Sequence, residues 1–228
     1  MSDFNSFAPG YAARRPQLVW HRIIADTETP VSAMLKLGRG GSGAFLLESV
    51  EGGAVRGRYS LLGLEPDLVW RATGNAAEIN TQWATDTTAF VPCAGDTLTE
   101  LRALVASCRM DVPPELPRAL ACLVGYMGYE TARLAEKLPE PKADPLGVPD
   151  FLFVRPTLLL VFDRLRDELF IVAPVFPDAR SAEVAHAAAL ERIESAAARL
   201  AQPVPAARQT PADLPDGAAH HVLRPGRY

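Results

Sequence analysis

The sequence predicts an α+β fold in which antiparallel strands are flanked by helices. Two pairs of apolar runs, within residues 45–70 and 151–175, are each joined by a short glycine-containing or charged connection, which is typical of hairpins. Apolar residues at helical spacing in residues 97–109 and 181–201 supply the helices.

Composition indicates a globular protein. The chain has 228 residues, 48% of them hydrophobic, and a net charge of −4, without a basic stripe. Nucleic acid and membranes are therefore not expected partners. Three cysteines without a CxxC pair argue against a disulfide framework or structural zinc. No signal-peptide core and no run of about 20 apolar residues is present, so we expect a cytoplasmic location.

Three segments divide the chain. Residues 1–16 are mostly polar with Gly and Pro, and we expect a flexible arm. Residues 17–201 hold the predicted strands and helices and form the expected domain. In residues 202–228 Pro and Gly interrupt every pattern, which indicates a linker or a disordered tail.

The first part of the domain predicts a strand, a helix and a turn. Residues 17–24 mix apolar and polar positions as a strand does. Pro30 follows a polar segment that suits the first turn of a helix. Residues 38–43 have GxGxxG spacing, but they follow a helix and precede a strand. We therefore expect a flexible turn there and not a phosphate site.

The middle of the chain predicts a short strand at residues 77–83 and a helix over residues 97–109. Thr97 and Glu100 have the spacing of a capping box, and Cys108 is expected to be a core residue of that helix.

Residues 120–130 begin as an apolar strand and end in Gly-Tyr-Met-Gly-Tyr-Glu. The glycines indicate close backbone approach, with Tyr126 and Tyr129 packed on either side, or tight packing alone. A short helix over residues 130–138 follows.

The last part predicts a hairpin and a long helix. Strands at residues 151–162 and 168–175 flank a charged connection, and residues 181–201 carry an apolar stripe. The isolated His186 on that helix is expected to be solvated.

A candidate ligand site lies where the strand beginning at Phe45 ends. Leu47, Glu48 and Ser49 close this strand, a glycine turn follows, and Tyr59 and Ser60 open the return strand. Acid, hydroxyl and aromatic groups around such a turn suit a small polar ligand with an apolar body. The alternative is an ordinary hairpin with solvated polar ends.

Catalytic chemistry is not evident. The four histidines lie in no recognisable triad, and HExxH, GxSxG and metal-ligand clusters are absent from the sequence. We assign no catalytic and no metal residue, and a ligand-binding or subunit-interaction module is favoured.

Three ordered motifs resemble the amino-terminal region of anthranilate synthase component I. They read FLLESVEGGAVRGRYSLLGLEPDLVWRATG, CLVGYMGYETARLAEKLPEP and DPLGVPDFLFVRPTLLLVFDRLRDELFIVAPV. The resemblance implies a two-sheet sandwich and a site where tryptophan inhibits. It also implies a whole enzyme, about twice as long, that converts chorismate and ammonia to anthranilate and pyruvate with Mg²⁺.

The resemblance further implies which residues bind tryptophan. The Leu-Leu-Glu-Ser element corresponds to residues 46–49, so Glu48 would face the ammonium group and Ser49 and Ser60 would bond polar ligand atoms. Leu47 and Tyr59 would flank the indole, all around one shared crevice.

The chorismate-binding half of the family is not recognisable in residues 202–228. We therefore expect this chain to bind no Mg²⁺ and to be inactive alone. Its expected partners are L-tryptophan, the glutamine amidotransferase subunit that supplies ammonia, and a chorismate-binding catalytic domain. The alternatives are the equivalent part of aminodeoxychorismate synthase component I, which the Glu-Gly-Gly and Arg-Gly-Arg-Tyr-Ser elements disfavour, and a non-enzymatic partner-binding module.

Overall fold

The structure, a computed structural model, describes residues 3–38, 42–48, 57–117, 120, 123–139, 144 and 146–205. Its helices are α1 (Phe4–Ala12), α2 (Pro30–Leu37), α3 (Thr97–Ser107), α4 (Ala182–Leu200) and a 3₁₀ helix (Tyr129–Leu134). Its strands are β1 (Gln17–Ile24), β2 (Phe45–Glu48), β3 (Tyr59–Thr73), β4 (Ala76–Asn80), β5 (Val91–Pro92), β6 (Val124–Met127), β7 (Phe151–Asp163) and β8 (Glu168–Val175).

The long strands β3 and β7 form the spine of one antiparallel sheet. They pair along most of their length, with a bulge between Pro66 and Leu68. β2 and β4 pair with different stretches of β3, while β6 and β8 pair with different stretches of β7. β1 adds to β8 and β5 adds to β4. The predicted α+β class with antiparallel strands is confirmed.

The two faces of this sheet bury different residues because side chains alternate along a strand. On one face Leu62 and Leu160 belong to a core that includes α1, α2 and α4, and we call it the helix-covered face. On the other, Leu61 and Leu159 pack with Leu116, and we call it the second face.

Several predicted elements are confirmed. β1 and the hairpin of β7 and β8 occupy the expected positions. α2 begins at Pro30, and the Thr29 side chain accepts a hydrogen bond from the Ser32 backbone. α4 begins after Ser181, whose hydroxyl accepts from the Val184 backbone.

The amino-terminal segment differs from the expected flexible arm. Residues 4–12 form α1, and Phe7 and Tyr11 are buried in the core against α4. His186, expected to be solvated, is only 7% exposed. Its ring contacts those of Phe4 and Phe7 at centroid distances of 5.3 and 5.0 Å. The aromatic side of α1 covers this part of α4. The sequence patterns of residues 1–16 and 181–201, each taken alone, do not reveal this contact.

Two local predictions need correction. The cap of α3 is Asp96, one residue before the predicted Thr97, and it accepts from the Thr99 backbone. Tyr129 is 86% exposed and does not pack as expected, although Gly125 lies as close to the backbone of Leu152 as the sequence indicates. No helix in the described ranges combines the length and apolar character that crossing a bilayer requires.

Candidate functional site

The candidate site is the hairpin of β2 and β3. The strands pair antiparallel in a register that sets Phe45 opposite Gly63 and Glu48 opposite Ser60. The Phe45 ring lies over Gly63, where a Cβ would overlap it. A glycine at position 63 therefore lets the ring cover β3 and helps to hold the register.

The hairpin divides the predicted site residues between the two faces. Glu48 and its partner Ser60 share the face of Leu62, which is the helix-covered face. Tyr59 packs with the second-face core, and Leu47 pairs with Leu61 on that same face.

The expectation of one shared crevice is therefore wrong for these four residues. Residues 47 and 48, like residues 59 and 60, are consecutive in a strand and must point to opposite faces. Ser49, the fifth member of the predicted set, lies outside the described residues.

The Glu48 carboxylate has partners within the protein. Its Oε1 accepts from Nη2 of Arg164 at 2.6 Å and, at 3.5 Å, from the hydroxyl of Ser60. The side chains of Glu48 and Arg164 are 28% and 47% exposed, so solvent screens this ion pair in part. The carboxylate predicted to receive a ligand ammonium is thus already paired with a guanidinium.

Arg164 projects from a turn that is itself well anchored. Its backbone N–H donates to the Arg58 carbonyl at 3.0 Å. The Arg58 guanidinium makes a two-pronged ion pair with the buried carboxylate of Asp163. Burial alone would raise the pKa of Asp163, but hydrogen bonds from Arg58 and the Leu165 backbone hold that pKa below its usual value.

A cavity of about 290 Å³ adjoins Glu48. It lies between the start of α2 and the turn from β7 to β8, and its walls are rich in acids. They include Asp26, Glu28, Glu48, Asp163, Asp167 and Glu168, with Arg164 as a basic member. Within the described ranges no three or more His, Cys, Asp or Glu side chains are grouped so as to hold a metal ion.

The second face offers a different environment at the same strand end. Leu47 is 49% exposed, and Tyr59 is partly buried beside the core. The guanidinium of Arg58 lies 4.8 Å from the centroid of the Tyr59 ring. An apolar side chain, an aromatic ring and a cation can together contact a ligand that has an apolar body and a negative group.

Sequence reasoning missed Arg58 and Arg164. Each lies in a short charged segment next to a predicted strand. Residues 163–167, which include Arg164, indicate only a hairpin connection. Their role depends on β3 and β7 being neighbours, which a local pattern does not reveal.

No family model matches the chain. Curated relatives and a solved structure do match it, and those described here share one name. The chain is 44% identical over 209 residues to the curated anthranilate synthase component 1 of Cereibacter sphaeroides, covering 91% of this chain and 42% of that protein. It is 38% identical over 156 residues to the anthranilate synthase component 1 of Thermus thermophilus, covering 67% of this chain and 31% of that protein.

A solved structure shares the fold. The crystal structure of anthranilate synthase component I from Streptococcus pneumoniae matches with a TM-score of 0.50 and 23% identity, covering 81% of this chain and 38% of that one. The chain therefore spans about two fifths or less of the relatives that it matches.

Proposed function

Because this chain belongs to the anthranilate synthase component I family, we propose that it is the amino-terminal, tryptophan-sensing portion of such an enzyme. The observation that carries the proposal is the 44% identity over 91% of the chain. The relatives and the structure described above all bear the anthranilate name, which favours this assignment over aminodeoxychorismate synthase.

The whole enzyme would convert chorismate and ammonia to anthranilate and pyruvate. A glutamine amidotransferase subunit would supply the ammonia, and a chorismate-binding domain would carry the reaction and its Mg²⁺. We expect the 228-residue polypeptide alone to form no anthranilate, since it corresponds to 42% of the Cereibacter relative.

Tryptophan would bind on the second face at the end of β2. Leu47 and Tyr59 are diagonal neighbours there, and side chains in that relation lie roughly 7–8 Å apart, within reach of one aromatic ligand. The indole would pack against Leu47 and Tyr59. The tryptophan carboxylate would share the Arg58 guanidinium with Asp163, which already accepts two hydrogen bonds from it. The contribution of Ser49 stays a prediction.

The cavity beside Glu48 is a poorer candidate for the same ligand. An amino acid carries a carboxylate, and each nearby acid repels it by about 1 kcal/mol at 4 Å even in bulk water. The walls of that cavity hold six acids, and two of them, Asp26 and Asp167, form no ion pair with another described residue. In this proposal Glu48 and Ser60 support β2 from behind and do not contact the indole.

Calorimetry with L-tryptophan on the chain tests the proposal. We expect saturable binding that is about tenfold weaker in Tyr59→Ala, because an aromatic wall is lost. Tyr129→Ala is the matched control, since it removes the same ring from a tyrosine that is 86% exposed and lies outside the hairpin of β2 and β3. No binding by the unmodified chain, or equal weakening by both substitutions, would contradict the proposal. A partner-binding module without effector function would give the first of these results.

A further inference from the structure

We propose that Arg164 is a positioning residue that holds the carboxyl end of β2, and with it one wall of the tryptophan site, from the opposite face of the sheet. The statement about β2 rests on the geometry alone. Its consequence for tryptophan rests on the proposed function.

The strand that Arg164 holds is short, and the side chains that pack against the two cores, Phe45 and Leu46, lie at its amino end. β2 has four residues and, among the described strands, pairs only with β3. Short edge strands open at low free-energy cost, because few hydrogen bonds and little buried surface hold them. A side-chain contact at the last residue of β2 therefore has a large share in fixing this end.

The other end of the contact is firmly held. Asp163, only 3% exposed, accepts hydrogen bonds from Arg58 and from the Leu165 backbone, and the Arg164 backbone is bonded to that of Arg58. These bonds join the turn after β7 to the start of β3. The guanidinium of Arg164 thus contacts Glu48 from a turn whose backbone is held by hydrogen bonds.

The pair also specifies which side chains face the ligand. A slip of one residue in the pairing of β2 would exchange its two faces, so that Leu47 would point to the helix-covered face. Such a slip would pull the Glu48 carboxylate away from Arg164 and leave it beside the apolar second-face core. Attraction on one face therefore keeps Leu47 on the other.

Hydrogen exchange without any ligand tests this role. In Arg164→Gln we expect the protected amides of β2 to exchange about two- to fivefold faster, as suits a partly exposed ion pair. Arg166→Gln is the matched control, because it removes the same charge from the same exposed turn. The Arg166 charge acts on Asp163, but its side chain forms no ion pair with Glu48. The amides of β7 and β8 should be unchanged in both.

A double-mutant cycle identifies the partner. Glu48→Gln should speed exchange in β2 to a similar extent, and adding Arg164→Gln should have little further effect, because both act on one contact. Additive effects of the two substitutions, unchanged β2 exchange in Arg164→Gln, or equal acceleration in all strands would each overturn the inference.

The two proposals fail separately. If the unmodified chain binds no tryptophan, the proposed function is wrong, while the exchange experiment still decides the role of Arg164 in β2. If tryptophan binds, Arg164→Gln should weaken binding by no more than the factor that speeds exchange, because affinity falls only as the population with β2 closed is lost. Arg166→Gln should not weaken it. Weakening by both variants alike would show a general charge effect and count against positioning.

Discussion

Lys36 and Arg199 cap each other's helices. Nζ of Lys36 donates to the Leu200 carbonyl at the end of α4 at 2.7 Å, and Nη2 of Arg199 donates to the carbonyls of Lys36 and Leu37 at the end of α2. Cations favour helix carboxyl ends, where carbonyls lack helical partners. These reciprocal hydrogen bonds join α2 and α4, two of the helices on the helix-covered face.

Replacing Lys36 should destabilise the protein. The Lys36 and Glu28 side chains are only 10% and 14% exposed and form an ion pair at 2.5 Å, so Lys36→Met leaves a nearly buried carboxylate without its cation. We expect a loss of about 2 kcal/mol in the free energy of unfolding, measured with urea. Adding Glu28→Gln should restore part of it. A double variant less stable than Lys36→Met would contradict this explanation.

His186 should make stability depend on pH. Burial lowers its pKa, opposed by the charge of Asp3, so the unfolded chain binds the proton more readily than the folded protein. The free energy of unfolding should therefore rise with pH between the lowered folded pKa and the usual value of about 6.5, and fall on acidification through that window.

The variant His186→Leu isolates this effect. Stability measured by denaturant at several pH values between 5 and 8 should vary less in the variant than in the unmodified protein. An identical pH dependence in both proteins would show that His186 is not responsible.

Gly125 should not tolerate a side chain. A Cβ at this position would overlap the Leu152 carbonyl oxygen and the Phe153 backbone, so β6 could not keep its pairing with β7. Gly125→Ala should cost about 2 kcal/mol, measured by thermal or urea unfolding. Gly128→Ala is the control, since its Cβ would lie 3.3 Å from the Asp150 carbonyl oxygen and require only a small shift. Equal stability of the two variants would contradict the role of close approach.

Ser49→Phe should weaken tryptophan binding while leaving folding intact. The prediction comes from the Leu-Leu-Glu-Ser element, because a bulky ring would take the place of a small hydroxyl beside the proposed ligand. Calorimetry gives the affinity, and an unchanged urea midpoint shows that folding is preserved. Unchanged affinity would remove Ser49 from the site.

The sequence by itself determined most of the regular structure and the family. Alternating and helical apolar patterns are local properties, so β1, the β7–β8 hairpin and α4 were predicted close to their observed bounds. The motifs around Glu48 and Gly125 sufficed for the resemblance that the comparisons support.

Tertiary structure decided how the residues of the site are arranged. Residues 47 and 48, like 59 and 60, alternate between faces in any strand, but only the register of β2 on β3 sets Glu48 beside Ser60 and Leu47 on the face of Tyr59. Arg164 reaches Glu48 across 116 positions because β7 lies beside β3, and α1 buries His186 because its aromatic side fits α4. These contacts join segments that are distant in sequence. Their free energy depends on how those segments pack together, which a local sequence pattern does not report.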